Sequence, residues 1–453
     1  MHTSNYRPIS LLSNINKIFE KIISERVYNF IEQNGTIYNH QYGFRKKHST
    51  THALINITED IRKALDKNQF ALGVFVDFQK AFDTVDHNIL LQKLDRYGIS
   101  GNINKWFGSY LKDRKQLVSI LGYDSQLRTL THGVPQGSVL GPLLFLLFIN
   151  DLHKAIQFSK VYHFADDTNL LLVGDSIKAL QKKMNVDLKN LYRWLLANKI
   201  SLNVAKTELI IFRKTNMTIP ETKIMINGKK IFPSKSTKYL GVHLDDDLSG
   251  FTHCNELLPK LRRANGMLAK ARHFITNKKD LLSIYYSMFS SILTYASQVW
   301  GLLDNPALNK VESAHKAALR IITFSDFNAH TAPICQELKL LRLKEFIKLQ
   351  NILLIHDFRN KNLPESFNDY FDKENLSWAE TRAESQALTK VATATKYSKI
   401  KYGRKSITHT SINIWNRFAK HVFPNVDMTA LSRKKLKDIV TDYFLKMYTD
   451  LDE

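Results

Sequence analysis

Three aspartates stand where an acidic side chain is costly. Asp77 closes the apolar run "FALGVFVDF", and Asp166 and Asp167 sit side by side in "VYHFADDTNLLLV". An ionised group ending a strand covered on both faces costs free energy unless it is exposed at the sheet edge or ligated. Two carboxylates held close repel, and one takes up a proton unless a cation sits beside them. A solvated acidic turn also accommodates an Asp-Asp pair, and Asp77 taken alone suits the N-cap of the segment that follows it. Brought to one edge of a shared sheet, the three make a hard-oxygen site suited to Mg2+, which one or two carboxylates hold together with substrate phosphates. Two such ions about 3.5–4 Å apart clamp the attacking and leaving oxygens of a phosphoryl transfer.

The elements that must position them are legible in outline. "FALGVFVDF" has the near-continuous apolar character of a strand buried on both faces. "AFDTVDHNILLQKLDRYG" shows helical spacing and stops at Gly98. "QLVSILGYDSQLRTLTHGV" holds two strand-like runs around Gly-Tyr-Asp-Ser. In "GVPQGSVLGPLLFLLFIND" the glycines and Pro135 form a loop, Ser138 is a candidate N-cap, and Pro142 falls in or near the first helical turn. The Asp-Asp segment is expected to be a strand, tight turn, strand hairpin. An amphipathic helix then precedes the strand "LNVAKTELIIF" and a hairpin turning at Asn227-Gly228. Residues from about 70 to 245 thus alternate strands and helices in an α+β manner, and the remainder is expected to be helical.

A chain of 453 residues implies two to four subdomains. Its 65 Lys and Arg against 42 Asp and Glu leave a net charge of +23, spread along the whole length. That favours a broad basic surface facing a polyanion. Cys254 and Cys335 are far apart and outside any CxxC, which disfavours a disulfide framework or a cysteine zinc site and suggests a reducing compartment. The start has no signal-peptide pattern. The most apolar run, Val139 to Ile149, is shorter than the ~20 residues that cross a bilayer, so no membrane partner is expected. No GxSxG, P-loop or HExxH pattern supports a serine hydrolase, NTPase or zinc protease. A basic surface with a two-metal site points to a polymerase or a nuclease.

"FVDFQKAFDTVDH", "GVPQGSVLGPLLFLLFINDL", "FADDTNLL", "SLNVAKTELIIF" and "KYLGV" occur in the order seen in reverse transcriptases. The chain most resembles the enzymes of non-LTR (LINE-type, jockey/CR1-like) retrotransposons, and the resemblance extends over nearly its whole length. "NYRPISLLSNINKIFEKII" and "QYGFRKKHST" resemble the fingers motifs, and "SINIWNRF" a segment near the end of these reading frames. The resemblance implies a right-hand polymerase fold with fingers, a ferredoxin-like palm, a helical thumb and a helical C-terminal extension. The expected division is 1–69 for N-terminal fingers lacking their first strand, 70–247 for the palm with a fingers insert at about 98–132, 248–329 for the thumb, and 330–453 for the C-terminal region. The family's upstream endonuclease and cysteine–histidine knuckle are not in this sequence.

Carried over residue by residue, Asp77, Asp166 and Asp167 match the metal-binding aspartates for two Mg2+ ions, with Mn2+ as a substitute. Phe82 matches the gate that packs where a ribose 2′-OH would lie; plain core packing is its other reading. Gln136 and Gly137 match the loop lining the incoming nucleotide and template, and Gly137 allows close backbone approach. Lys206 matches the lysine that protonates departing pyrophosphate. Tyr239, Leu240 and Gly241 match the primer grip. Arg7 and Arg45 are candidates for phosphate contact, with a solvated arginine as the alternative. The implied partners are an RNA template, a DNA primer and dNTPs, and a nuclear location is implied; the oligomeric state stays open. The rivals are another reverse-transcriptase lineage such as the group II intron type, a catalytically inactive nucleic-acid-binding remnant, and a metal-dependent nuclease.

Overall fold

Apolar runs become strands and one buried helix, and amphipathic runs become further helices. The computed structural model describes residues 9–302, 306–371, 406–424 and 426–448, so Arg7 lies outside the described residues. The chain divides into two compact units. One comprises residues 1–49, 72–209 and 218–233, and the other 50–71, 210–217 and 234–453.

The main sheet has five strands: β1 (Phe70–Val76), β2 (Lys160–Phe164), β3 (Asp167–Gly174), β4 (Glu208–Phe212) and β5 (Pro233–Ser234), in the order β5-β4-β1-β3-β2. Every residue of β1 is buried, as expected of a strand covered on both faces. The helix Leu140–Ile149 is apolar all round and buried save at Pro142. The helix Ile177–Ala197 buries Leu180, Met184, Leu188, Leu191 and Leu195, a stripe at three- and four-residue spacing. Within that stripe the buried Asp187 carboxylate accepts the N–H groups of Gln157, Phe158 and Ser159 at 2.7–3.2 Å and the Ser159 hydroxyl at 2.6 Å. It thereby fixes the loop that enters β2.

Local signals hold with small shifts. The Asn227-Gly228 hairpin forms with φ of 48° and 73° at its two turn residues, the type I′ signature. In the exposed 115–129 segment the turn falls at Leu121-Gly122, one step before the expected Gly-Tyr-Asp-Ser, because Ile120 pairs with Tyr123. Ser138 Oγ accepts the Gly141 N–H at 2.9 Å, which is capping work at the start of Leu140–Ile149. Both cysteines are buried free thiols. Among the described residues no helix is long and apolar enough to cross a membrane.

The second unit is mainly helical and includes the long helices Phe251–Ala271, Pro306–Thr323 and Leu343–Arg359. The compact units cut across the expected fingers segment at residue 49. The helix Thr50–Asp66 belongs with the later chain because its polar groups are satisfied there. Arg62 donates to Glu59 at 3.1 Å and to the Val299 carbonyl at 2.9 Å. The Glu59 carboxylate accepts the Ile407 N–H at 2.8 Å and the Thr408 hydroxyl at 2.7 Å. Both charges are almost wholly buried, so each needs the other and the surrounding donors.

Four histidines are held neutral by burial. The pKa falls to about 4 at His48, His253 and His315 and to about 3 at His163, against an ordinary value of 6.5. Between those values the unfolded chain binds more protons than the fold, so stability rises with pH in that window. Each group contributes up to about 1.4 kcal/mol per pH unit. Thermal melts at pH 7, 6 and 5 are expected to show a falling Tm. A Tm that is flat across this range contradicts the neutral, buried state of these rings.

Candidate active site

The acidic pair is carried by a tight hairpin. β2 and β3 pair antiparallel, with Phe164 opposite Asp167, so Ala165 and Asp166 are the two turn residues. Ala165 has φ of 56°, a left-handed conformation that costs a non-glycine residue about 1–2 kcal/mol. Asp166 is half-buried and Asp167 exposed, while Thr168 to Leu172 are buried behind them. The turn is gripped by the loop after the helix Asn14–Gln33. Gln41 forms a parallel bridge with His163, and the Tyr42 N–H donates to the His163 carbonyl at 2.8 Å. Gly43 lies directly on the turn; a Cβ there would stand 2.4 Å from the Ala165 nitrogen.

Asp77 follows β1 and is half-buried. Its Oδ2 accepts the side-chain amide of Asn203 at 2.8 Å, and its carbonyl accepts the Asn203 N–H at 2.9 Å. Phe78 and Leu202 form an antiparallel bridge beside it. Asp77 is therefore no helix cap. That role falls to Asp86, whose Oδ1 accepts the Ile89 N–H at 3.0 Å ahead of the helix His87–Arg96. Lys206 is exposed in the turn that Asn203 begins. Asn203 is a partner that sequence reasoning misses, although it lies three residues before Lys206 in the same motif.

Phe82, Gln136 and Gly137 are brought together. The Val134 N–H donates to the Phe82 carbonyl at 2.9 Å, and Gln136 Nε2 donates to Asp83 Oδ1 at 2.8 Å. The Phe82 ring stacks on Phe145, centroids 4.3 Å apart, and meets Phe44 edge-on at 6.3 Å. Phe44 follows Gly43, so one loop touches both the Asp166 turn and the segment after Asp77. Gly137 has φ of 101°, and a Cβ there would press on the Ser10 carbonyl at 3.0 Å. The buried Glu20 was also missed. Its Oε2 accepts the Val139 N–H at 2.7 Å and the Leu140 N–H at 3.3 Å, capping the helix that leaves this loop. Its Oε1 takes the Tyr110 hydroxyl at 2.9 Å.

Arg45 is not turned outward. Its guanidinium forks onto both Glu32 oxygens at 2.8 and 3.0 Å and donates to the Tyr38 carbonyl at 3.2 Å. Burial pushes the Glu32 carboxyl up, but the Arg45 cation outweighs it and the net direction is down. In the second unit Tyr239 pairs with Val242, and Leu240 and Gly241 form a two-residue turn. The Tyr295 hydroxyl donates to the Leu240 carbonyl at 2.7 Å.

Among the described residues no group of three or more His, Cys, Asp or Glu side chains lies close enough together to hold a metal ion. Asp77 and the Asp166 turn instead flank neighbouring strands, β1 and β3, as separate acidic positions. Their donor chemistry suits Mg2+, whose remaining positions are ordinarily filled by phosphate oxygens and water.

A family model described as reverse transcriptase (RNA-dependent DNA polymerase) matches residues 2–244. The chain belongs to the reverse transcriptase family. It is 30% identical over 359 residues to the RNA-directed DNA polymerase from mobile element jockey of Drosophila melanogaster, covering 77% of this chain and 38% of that protein. It is 28% identical over 365 residues to the probable RNA-directed DNA polymerase from transposon BS of the same fly, covering 76% and 39%. These relatives support a non-LTR, LINE-type reverse transcriptase. The chain spans about two fifths of their length. Among solved structures, telomerase from Candida albicans in complex with a TWJ fragment of telomeric RNA matches at a TM-score of 0.38 and 13% identity, over 73% of this chain and 54% of that one. That likeness is too low to carry weight.

Glu20→Ala removes the acceptor for two N–H groups at a helix start. It is expected to destabilise the chain by about 1–3 kcal/mol in urea melts. An unchanged midpoint contradicts the capping role.

Proposed function

We propose that this chain is the polymerase portion of an RNA-directed DNA polymerase of a non-LTR retrotransposon. It would transfer a nucleotidyl group from a dNTP to a primer 3′-hydroxyl on an RNA template. The observation that carries this reading is the two-residue turn presenting Asp166 at the head of β3, beside the strand that Asp77 directly follows, in a chain of this family. The strand–helix–strand–strand–helix–strand succession and the order β4-β1-β3-β2 support a ferredoxin-like palm within a right-hand fold.

Asp77, Asp166 and Asp167 would hold Mg2+ together with the triphosphate. When bound, Mg2+ supplies charge neutralisation for the triphosphate and lowers the pKa of the primer 3′-hydroxyl. The chain's own task is positioning. Asn203 holds the Asp77 carboxylate from one side. The Phe82 ring, fixed between Phe145 and Phe44, fills the place where a ribonucleotide's 2′-hydroxyl would clash. The Gln136-Gly137 backbone allows a nucleotide close approach, Lys206 offers a proton to departing pyrophosphate, and the Tyr239–Gly241 turn supports the primer. The excess of lysine and arginine suits an RNA–DNA duplex, with affinity falling as salt rises.

The test is primer extension on an RNA template with dNTPs and Mg2+. The unsubstituted chain is expected to extend the primer, and Asp166→Asn to lose about 10²-fold or more while keeping its Tm. Equal extension by Asp166→Asn overturns the assignment. Absence of extension by the unsubstituted chain, or strand cleavage that needs no dNTP, favours the inactive or nuclease readings.

A further inference from the structure

We infer that Gln41 is a positioning residue for the catalytic turn, acting on Asp166 and Asp167 through the backbone of Ala165. This rests on the polymerase reading of those carboxylates. The Gln41 side-chain oxygen accepts two backbone N–H groups, from Gly43 at 2.9 Å and from Ala165 at 3.1 Å. The Gly43 bond fixes the amide within its own loop. The Ala165 bond passes that fixity to the turn, 124 residues further along the chain.

Three features make the contact more than packing. Gln41 is 2% exposed and Ala165 4%, so the Ala165 N–H has no ready alternative in water if the amide is lost. Ala165 holds a left-handed conformation that a side chain rarely adopts, so the turn stays as it is only while its surroundings over-determine it. The Gln41 backbone is itself in register with the hairpin. His163 donates to the His40 carbonyl at 2.9 Å, and Tyr42 donates to the His163 carbonyl at 2.8 Å. The loop thus makes a single parallel bridge to β2 and aims one amide oxygen at the residue preceding the acidic pair. A displacement of about 1 Å at a reacting centre can cost about 10²-fold in rate, so losing this bond is expected to cost turnover beyond the stability lost with one buried hydrogen bond.

Gln41→Met keeps the volume and removes the acceptor. Gly43→Ala keeps the acceptor and presses a methyl group onto the Ala165 backbone. For each we would measure Tm, Kd for an RNA–DNA template–primer, KM for dNTP, the single-turnover extension rate, and hydrogen exchange at the Ala165 amide in the metal-free chain. Both variants are expected to keep Kd and KM within about threefold and to lose about 10–100-fold in rate. In Gln41→Met, Ala165 exchange should rise about tenfold or more. A rate within twofold of the unsubstituted chain, with Asp166→Asn inactive, overturns this inference and leaves the polymerase reading standing. Losses of Tm, Kd and rate in proportion also overturn it, since they mark a merely structural residue. If the unsubstituted chain extends nothing, the polymerase reading fails, and so does a positioning role that depends on it.

Discussion

Two like charges at the head of a buried hairpin are the constraint around which the first unit is arranged. Carboxylates on consecutive residues gain nothing from the apolar strand behind them, and hydrophobic burial alone would select other residues there. The fold keeps them by making the turn rigid and leaving Asp167 open to solvent. β3 supplies the anchor through five consecutive buried residues. The loop at residues 40–45 supplies the grip, with a glycine where any side chain would collide with the turn. That loop is tied in turn to the end of the helix Asn14–Gln33 by the Arg45–Glu32 pair.

The second acidic position is held by different means. Asp77 leaves β1 into a short antiparallel pairing with residues 201–203, and Asn203 secures both its side chain and its carbonyl. The segment after it is pinned to the Gly133–Gly137 loop, and Phe82 packs between that loop's helix and Phe44. Strands and loops therefore hold each acidic position by contacts of its own, and the Phe44–Phe82 contact links the loop at one to the segment after the other. Such mutual fixing suits chemistry in which geometry, rather than covalent participation by the protein, sets the rate.

Much of this was legible in the sequence. The fully buried β1, the Asp-Asp turn, the amphipathic helix Ile177–Ala197 and the Asn227-Gly228 hairpin follow from periodicity and turn chemistry. The order of the motifs by itself points to the family. What escaped was long-range polar pairing. Gln41, Glu20 and Asn203 are single polar residues with no distinctive spacing, and their partners lie 124, 119 and 126 residues away. Nothing local distinguishes a buried glutamine that steadies a turn from a solvated one. Arg45 shows the converse, since a basic residue in a fingers-like motif suggested a phosphate contact and the fold uses it for an internal ion pair. The placement of the helix Thr50–Asp66 with the later chain was likewise invisible, because its partners at residues 299 and 407–408 follow by more than 200 positions.

The central claim is that Asp77, Asp166 and Asp167 jointly hold divalent metal when a nucleotide is present. It is tested most directly by counting bound Mn2+ by electron paramagnetic resonance. The sample is the chain with an RNA template, a chain-terminated DNA primer and a dNTP whose α–β bridge cannot be cleaved. The account predicts two tightly bound ions per complex, with fewer after Asp77→Asn or Asp166→Asn at unchanged template–primer affinity. The same number of tightly bound ions in the unsubstituted chain and in both variants would contradict it.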